Sequence, residues 1–301
     1  MKQRSNWRRW NLAPEPEPPR VTTNAQALQT ARAKGLERLD AQMLLLHVLG
    51  RSEHDRAWLL AHDTDTLTAP AQRAFEVGVQ RRLGGEPLAY ITGRKEFFGL
   101  DLQVDARVLV PRPDTETLVE WALAVLATTA AASILDLGTG SGAIALALKA
   151  SRPDLTVRAT DFSVDALAVA RSNAARLNLD VAFQQACWLE GVGGRYQLIV
   201  SNPPYIAAQD LHLDALAHEP RQALAAGPDG LDDLRCIIAQ APAHLENDGW
   251  LLLEHGYDQA AAVRHLLQQA GLECVQSRRD LGGIERCSGG CKLASATSKA
   301  L

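Results

Sequence analysis

Residues 134–142, Ile134-Leu135-Asp136-Leu137-Gly138-Thr139-Gly140-Ser141-Gly142, decide how this 301-residue chain folds. A short apolar run that suits a buried strand leads straight into three glycines at alternate positions, and these open a helix over residues 143–150. Glycine permits the tight turn and lets a ligand come close to the backbone and to the positive end of the helix. The next apolar run ends at Asp161, about 20 residues beyond Gly138, where a carboxylate can accept hydrogen bonds from both hydroxyls of a ribose. Gly138, Thr139, Gly140, Ser141, Gly142 and Asp161 are therefore expected to hold a cofactor that contains a nucleoside. A nicotinamide dinucleotide would use the same strand, turn and helix, with the different glycine spacing G-x-G-x-x-G.

Outward from this stretch, strands and helices alternate. Strands are expected at 134–137, 155–160, 181–184, 198–200, 250–253, 272–276 and from 284 onward, with helices at 143–150, 164–177, 231–245 and 259–270. Apolar strands separated by amphipathic helices make an α/β fold with a largely parallel sheet covered on both faces. Upstream, residues 24–83 read as four short helices. Asn24 is the expected cap of the first, Leu39, Met43, Leu46 and Leu49 are the stripe of the second, residues 58–60 mark the third, and Thr68 caps the fourth, which carries Phe75, Val79 and Leu83. The organisation expected is a basic, proline-rich extension over 1–23, a helical domain over 24–85 that recognises a substrate or braces its neighbour, a linker with one hairpin over 86–112, the α/β domain over 113–293, and a tail over 294–301. In the α/β domain, Asp114 and Glu116 are placed to suit the positive end of a helix carrying Leu118, Trp121, Ala122 and Val125.

Composition narrows the class. A net charge of −4 gives no overall attraction to nucleic acid, so direct nucleic-acid binding is not expected. Five cysteines, an odd number without Cys-x-x-Cys spacing, fit reduced thiols in a cytoplasm, and no metal site is expected. No apolar run reaches the roughly 18 residues of a membrane span. The arginines near the start run into prolines instead of an apolar segment, unlike a secretory signal. A monomer is expected.

A second stretch stands out at the end of the 198–200 strand, Asn202-Pro203-Pro204-Tyr205. Two prolines lock φ and remove two backbone donors, so the carbonyls here have no ladder to join. Asn202 offers donors and an acceptor, and Tyr205 a flat face with a polar tip. Together they suit a planar amide or the edge of a base; the plainer reading is a strand-ending turn with a stacked tyrosine. Trp188 reads equally as a core aromatic or a stacking platform. His218, His244 and His255 read as structural, and Glu254 as a strand-end carboxylate near the pocket, of the kind usually solvated.

The G-x-G-x-G spacing behind Asp136 resembles the S-adenosylmethionine-dependent methyltransferases of the Rossmann-like class. Phe97-Phe98-Gly99, Pro111-Arg-Pro-Asp-Thr-Glu116, Val200-Ser-Asn-Pro-Pro-Tyr-Ile206, His218-Glu-Pro-Arg221 and Leu252-Leu-Glu-His-Gly256 together resemble the peptide-chain release factor glutamine methyltransferases. The resemblance implies a class I methyltransferase sheet with one antiparallel strand near its end, S-adenosylmethionine as methyl donor, and class I release factors as protein substrates, methylated on the glutamine of their Gly-Gly-Gln loop. It puts Trp188 beside the adenine, Asn202 near the cofactor as well, and Asn202, Pro203, Pro204 and Tyr205 on the glutamine amide, with Asn202, Pro203 and Tyr205 carrying the catalysis. One position departs from the family: Cys187 stands where an Asp usually precedes the Trp, and a thiol is a poor acceptor for the adenine amino group. Three rivals share parts of the pattern: a nucleic-acid methyltransferase acting on base amino groups, a dehydrogenase, and a non-catalytic binding module.

Overall fold

The computed structural model describes residues 22–294, so the extension and tail expected at the two ends lie almost entirely outside the described residues. The chain divides into two compact units, Met1–Gly84 and Gly85–Leu301.

The first unit contains α1 (Asn24–Ala33), α2 (Arg38–Val48), α3 (Arg56–Ala61) and α4 (Ala69–Leu83). Two details differ from expectation. Thr23, not Asn24, caps α1: its hydroxyl accepts from the Gln26 amide at 3.3 Å, and the Gln26 side chain accepts from the Thr23 amide at 3.0 Å. Asn24 is instead buried and donates to the His62 carbonyl at 2.8 Å. The buried face of α2 is Ala41, Leu44, Leu45 and Leu46, while Leu39 is 47% exposed. Small Ala41, which the stripe of large residues passed over, lets the helices approach and so sets the face.

In the second unit α5 (Leu88–Thr92) precedes a hairpin of β1 (Arg94–Phe97) and β2 (Leu100–Gln103). The helix was not anticipated. Segment 86–112 also carries core residues: Phe97 and Leu102 join the main apolar cluster, and Tyr90, Val104, Val108 and Val110 pack with Ala166 and Val169. Next come α6 (Glu116–Val125), β3 (Ser133–Leu137), α7 (Ala143–Ser151), β4 (Thr156–Asp161), α8 (Val164–Leu177), β5 (Ala182–Gln185), β6 (Tyr196–Ser201), α9 (His212–Ala215), α10 (Asp232–His244), β7 (Leu245–Glu254), α11 (Ala260–Gln269), β8 (Glu273–Arg279) and β9 (Glu285–Lys292). Asp114 and Glu116 do more than favour the start of α6. The Glu116 carboxylate accepts from the Phe98 amide at 3.0 Å and so anchors the hairpin, and Asp114 pairs with Arg286 at 3.5 Å.

The seven-stranded sheet has the order β5-β4-β3-β6-β7-β9-β8, parallel except for β9, which runs antiparallel to both its neighbours. Sequence order reverses direction between β3 and β6, which opens a crevice at their carboxyl ends where open α/β sheets take ligands. Register then matters. Leu137 lies opposite Ser201, so Gly138 and Asn202 leave neighbouring strands side by side, and the Ser201 hydroxyl donates to the Leu137 carbonyl at 2.7 Å to hold the two exits together. Among the described residues no helix is long and apolar enough to cross a membrane.

Candidate active site

At the end of β3 all three glycines adopt left-handed backbone: φ is +68° at Gly138, +54° at Gly140 and +86° at Gly142. Any side chain would be strained there. Space enforces the same choice at Gly138, where a Cβ would lie 3.2 Å from the Trp188 ring. The loop is held from below and from the side. Fully buried Asp136 accepts from the Thr139 hydroxyl at 2.6 Å and the Ala145 amide at 3.2 Å, and burial raises its pKa to about 7. Asp161 accepts from the Gly140 amide and the Ser163 amide, both at 2.8 Å. One oxygen goes to each amide, and a carboxylate oxygen has a second lone pair, so Asp161 can fix the loop and still face a ligand. Burial raises its pKa as well.

These groups wall a cavity of about 360 Å³. All six glycine-loop and acidic residues expected on the cofactor line it except Gly142, which starts α7 behind the loop. Trp188, Cys187, Asn202 and Pro204 line it too. The volume is that of a small-ligand site, enough for a nucleoside-containing molecule. Trp188 takes a left-handed backbone, φ +51°, unusual for a bulky residue and costing about 1–3 kcal/mol. Its indole N–H donates to Asp233 at 3.1 Å. Trp188 packs against an apolar cluster and also lines the cavity.

The Asn202-Pro-Pro-Tyr stretch divides between two cavities. Asn202 and Pro204 face the large one; Pro203 and Tyr205 face a smaller one of about 70 Å³, which Asn202 also lines. Asn202 donates through Nδ2 to the Thr115 hydroxyl at 3.2 Å, which turns its Oδ1 away as an acceptor. The Tyr205 hydroxyl meets Glu254 at 3.4 Å. Glu254 is therefore not solvated, as strand-end carboxylates usually are: it is fully buried and lines neither cavity. Burial lifts its pKa to about 7, opposed by the Thr115 hydroxyl and by Arg286. Behind the stretch, the Tyr205 carbonyl accepts from the Gln259 side chain at 3.0 Å, and a Cβ on Gly230 would lie 2.2 Å from that same carbonyl.

Other motifs serve this frame. Arg112 pairs with Glu219, whose other oxygen accepts from the Val110 amide at 3.0 Å, so Pro111-Arg-Pro meets His218-Glu-Pro beside both cavities. His255 is fully buried, with its ring nitrogens 2.7 Å from the Ser288 hydroxyl and 2.9 Å from the Gly256 carbonyl, and burial lowers its pKa. It lines neither cavity, as the structural reading requires. Sequence reasoning passed over Thr115, Asp233, Gly230 and Gln259. Thr115 lies inside the quoted Pro-Asp-Thr-Glu run; the other three carry no local signal, because their use depends on long-range packing.

Strand order, a glycine loop at the switch point and the adjoining Asn-Pro-Pro-Tyr define a class I methyltransferase. The Methyltransferase small domain family matches residues 115–228 and the PrmC N-terminal domain family residues 23–93. A release factor glutamine methyltransferase of Bordetella pertussis is 53% identical over 85% of this chain and 95% of its own length, and one of Xylella fastidiosa is 49% identical over 88% and 96%. The chain belongs to the release factor glutamine methyltransferase family. In fold alone it is also similar to a methyltransferase from Pyrococcus furiosus, with a TM-score of 0.51 and 20% identity over 71% of this chain and 98% of that one.

Proposed function

We propose that this enzyme transfers the methyl group of S-adenosylmethionine to the side-chain amide nitrogen of the glutamine in the Gly-Gly-Gln loop of class I release factors, giving N5-methylglutamine and supporting translation termination. The observation that carries the reading is the position of Asn202, which forms a wall of both the cavity beside the glycine loop and the smaller one lined by Pro203 and Tyr205. A side chain reaching into the small cavity meets the large one at Asn202.

The glycine loop and Asp161 fit a nucleoside ligand, as the left-handed glycines and the cradle at Gly138 indicate. When bound, the donor supplies a sulfonium-activated methyl carbon. Gly138 to Gly142 and Asp161 would hold its amino-acid and ribose parts, and Trp188 its base. An amide nitrogen is a poor nucleophile because its lone pair is delocalised, so the residues of the chain act chiefly by placing it. Asn202 Oδ1 and the Pro203 carbonyl accept its two N–H bonds, align the nitrogen and stabilise positive charge as it develops. Tyr205 packs on the amide plane. Thr115 orients Asn202, and Glu254, accepting from Tyr205, fixes the tyrosine. As the nitrogen–carbon bond forms, the carbon–sulfur pair stays on sulfur. The methylated nitrogen then gives up one proton, and since it can do so after transfer no strong base is required. We read the enzyme as a cytoplasmic monomer without a nucleic-acid partner; the five cysteines are unpaired, which suits that compartment.

The test is to incubate the protein with labelled S-adenosylmethionine and, separately, release factor, DNA and ribosomal RNA. Label on the Gly-Gly-Gln glutamine is the expected result. Label in nucleic acid and none in the release factor would sink the proposal.

A further inference from the structure

The cavity crosses the carboxyl ends of strands in a fixed order, with the glycine loop after β3, Asp161 at the end of β4, and Cys187 and Trp188 just after β5. A nucleoside whose ribose meets Asp161 thus carries its base toward Cys187 and Trp188. Around that end the lining is largely apolar: Phe162, Ala186 and Trp188. An amino group on the base needs an acceptor there, because a donor buried without a partner loses its hydration for nothing. Cys187 offers only a thiol. The indole N–H of Trp188 is a donor and already engaged, and Asp161, at the end of β4, is the group that meets the ribose. What remains is Asp233, in the first turn of α10, which lines the same cavity beside Trp188. Its Oδ1 holds the indole at 3.1 Å, and its Oδ2 has no hydrogen-bond partner among the described residues. Fully buried Leu234 fixes that turn of α10 in the core.

We infer that Asp233 reads the base of the cofactor, its Oδ2 accepting the exocyclic amino group of adenine while its Oδ1 positions Trp188. The inference rests on the S-adenosylmethionine reading above and deepens it: the acceptor that Cys187 cannot supply from the β5 loop comes from α10. Burial raises the pKa of Asp233, consistent with a carboxylate drawn partly out of water.

Calorimetric titration with S-adenosylhomocysteine and S-inosylhomocysteine tests this, since inosine replaces the amino donor with an oxygen acceptor. Wild-type protein should prefer the adenosyl ligand by at least about tenfold, the scale of one mispaired polar group. Asp233→Asn keeps an oxygen for the indole but turns a donor toward the base, so most of that preference should vanish. Adding Cys187→Asp to Asp233→Asn should restore it. A preference unchanged by Asp233→Asn overturns the inference, and so does an equal loss of both ligands, which would leave Asp233 as a support for Trp188 alone. Failure of the wild type to bind S-adenosylhomocysteine would instead overturn the cofactor assignment itself.

Discussion

Asn202 has two polar ends: Nδ2 donates to Thr115, and Oδ1 is the end that the proposed mechanism gives to the acceptor amide. Replacing Asn202 by Ala should leave S-adenosylhomocysteine affinity within a few-fold of wild type and lower kcat by about a hundredfold or more, the usual loss for one preorganised contact. Unchanged turnover would remove Asn202 from the chemistry. Glu254 makes a different kind of prediction. Burial raises it from 4.5 to about 7, and Asp136 from 3.8 to about 7. A carboxyl with a higher pKa when folded keeps its proton more tightly in the folded chain. Between the two values each of these carboxyls binds more protons in the folded state than in the unfolded one, so the stability it contributes is lost as pH rises from about 4 to about 7. Glu254→Gln removes one of the buried carboxyls responsible. Its unfolding free energy should drop less than that of the wild type over this range, by on the order of 1–3 kcal/mol, as read by denaturant titration at several pH values; parallel curves would show that Glu254 does not titrate there.

At the scale of elements, the strand-loop-helix around Gly138 was legible because three constraints coincide in one short run: apolar strand, glycines, apolar helix. The same holds for the centre of the parallel sheet, where Leu198 to Val200 and Leu251 to Leu253 are apolar runs. Less visible were elements that depend on remote partners. Strand β9 falls where a strand was expected, but the sequence did not show why Gly289 stands in it: a Cβ there would come within 2.5 Å of Leu252 and 3.1 Å of Trp121. Nor does anything near Gly230 reveal that it faces the Tyr205 carbonyl, with φ at +74°. Helix α5 was hidden because five residues are too few to show a period. Of the candidate site, the glycine loop, Asp161 and Asn202 to Tyr205 were readable, whereas the places of Thr115 and Asp233 in the cavity wall and of Glu254 behind Tyr205 were not, since tertiary packing alone sets them. Gly230→Ala tests this buttress: it must displace the Tyr205 carbonyl or strain its own backbone. A loss of about 1–3 kcal/mol is expected, with kcat falling more than S-adenosylhomocysteine affinity. A variant with wild-type stability and kcat would show that the carbonyl moves freely.

At the scale of the whole molecule, the helical unit Met1–Gly84 is separate from the unit that carries both cavities. If the helices recognise the body of the release factor, deleting residues 1–84 should raise KM for the intact factor by about tenfold or more, roughly 1.4 kcal/mol of binding. KM for a short glutamine peptide should barely change. Equal effects on both substrates would make the helices a brace, and a lowered melting temperature of the truncated chain would accompany that outcome. The larger unit has a property of its own. Asn202 belongs to the walls of both cavities, so in the proposed mechanism a ligand that orders it from one side prepares it for the other. Donor and acceptor should then bind with positive cooperativity, and thermodynamic linkage makes that coupling reciprocal: whatever factor the glutamine peptide adds to the affinity for S-adenosylhomocysteine, the latter must add to the affinity for the peptide. Asn202→Ala should bring both factors toward unity together, so a single residue would sever communication between two sites that each still bind.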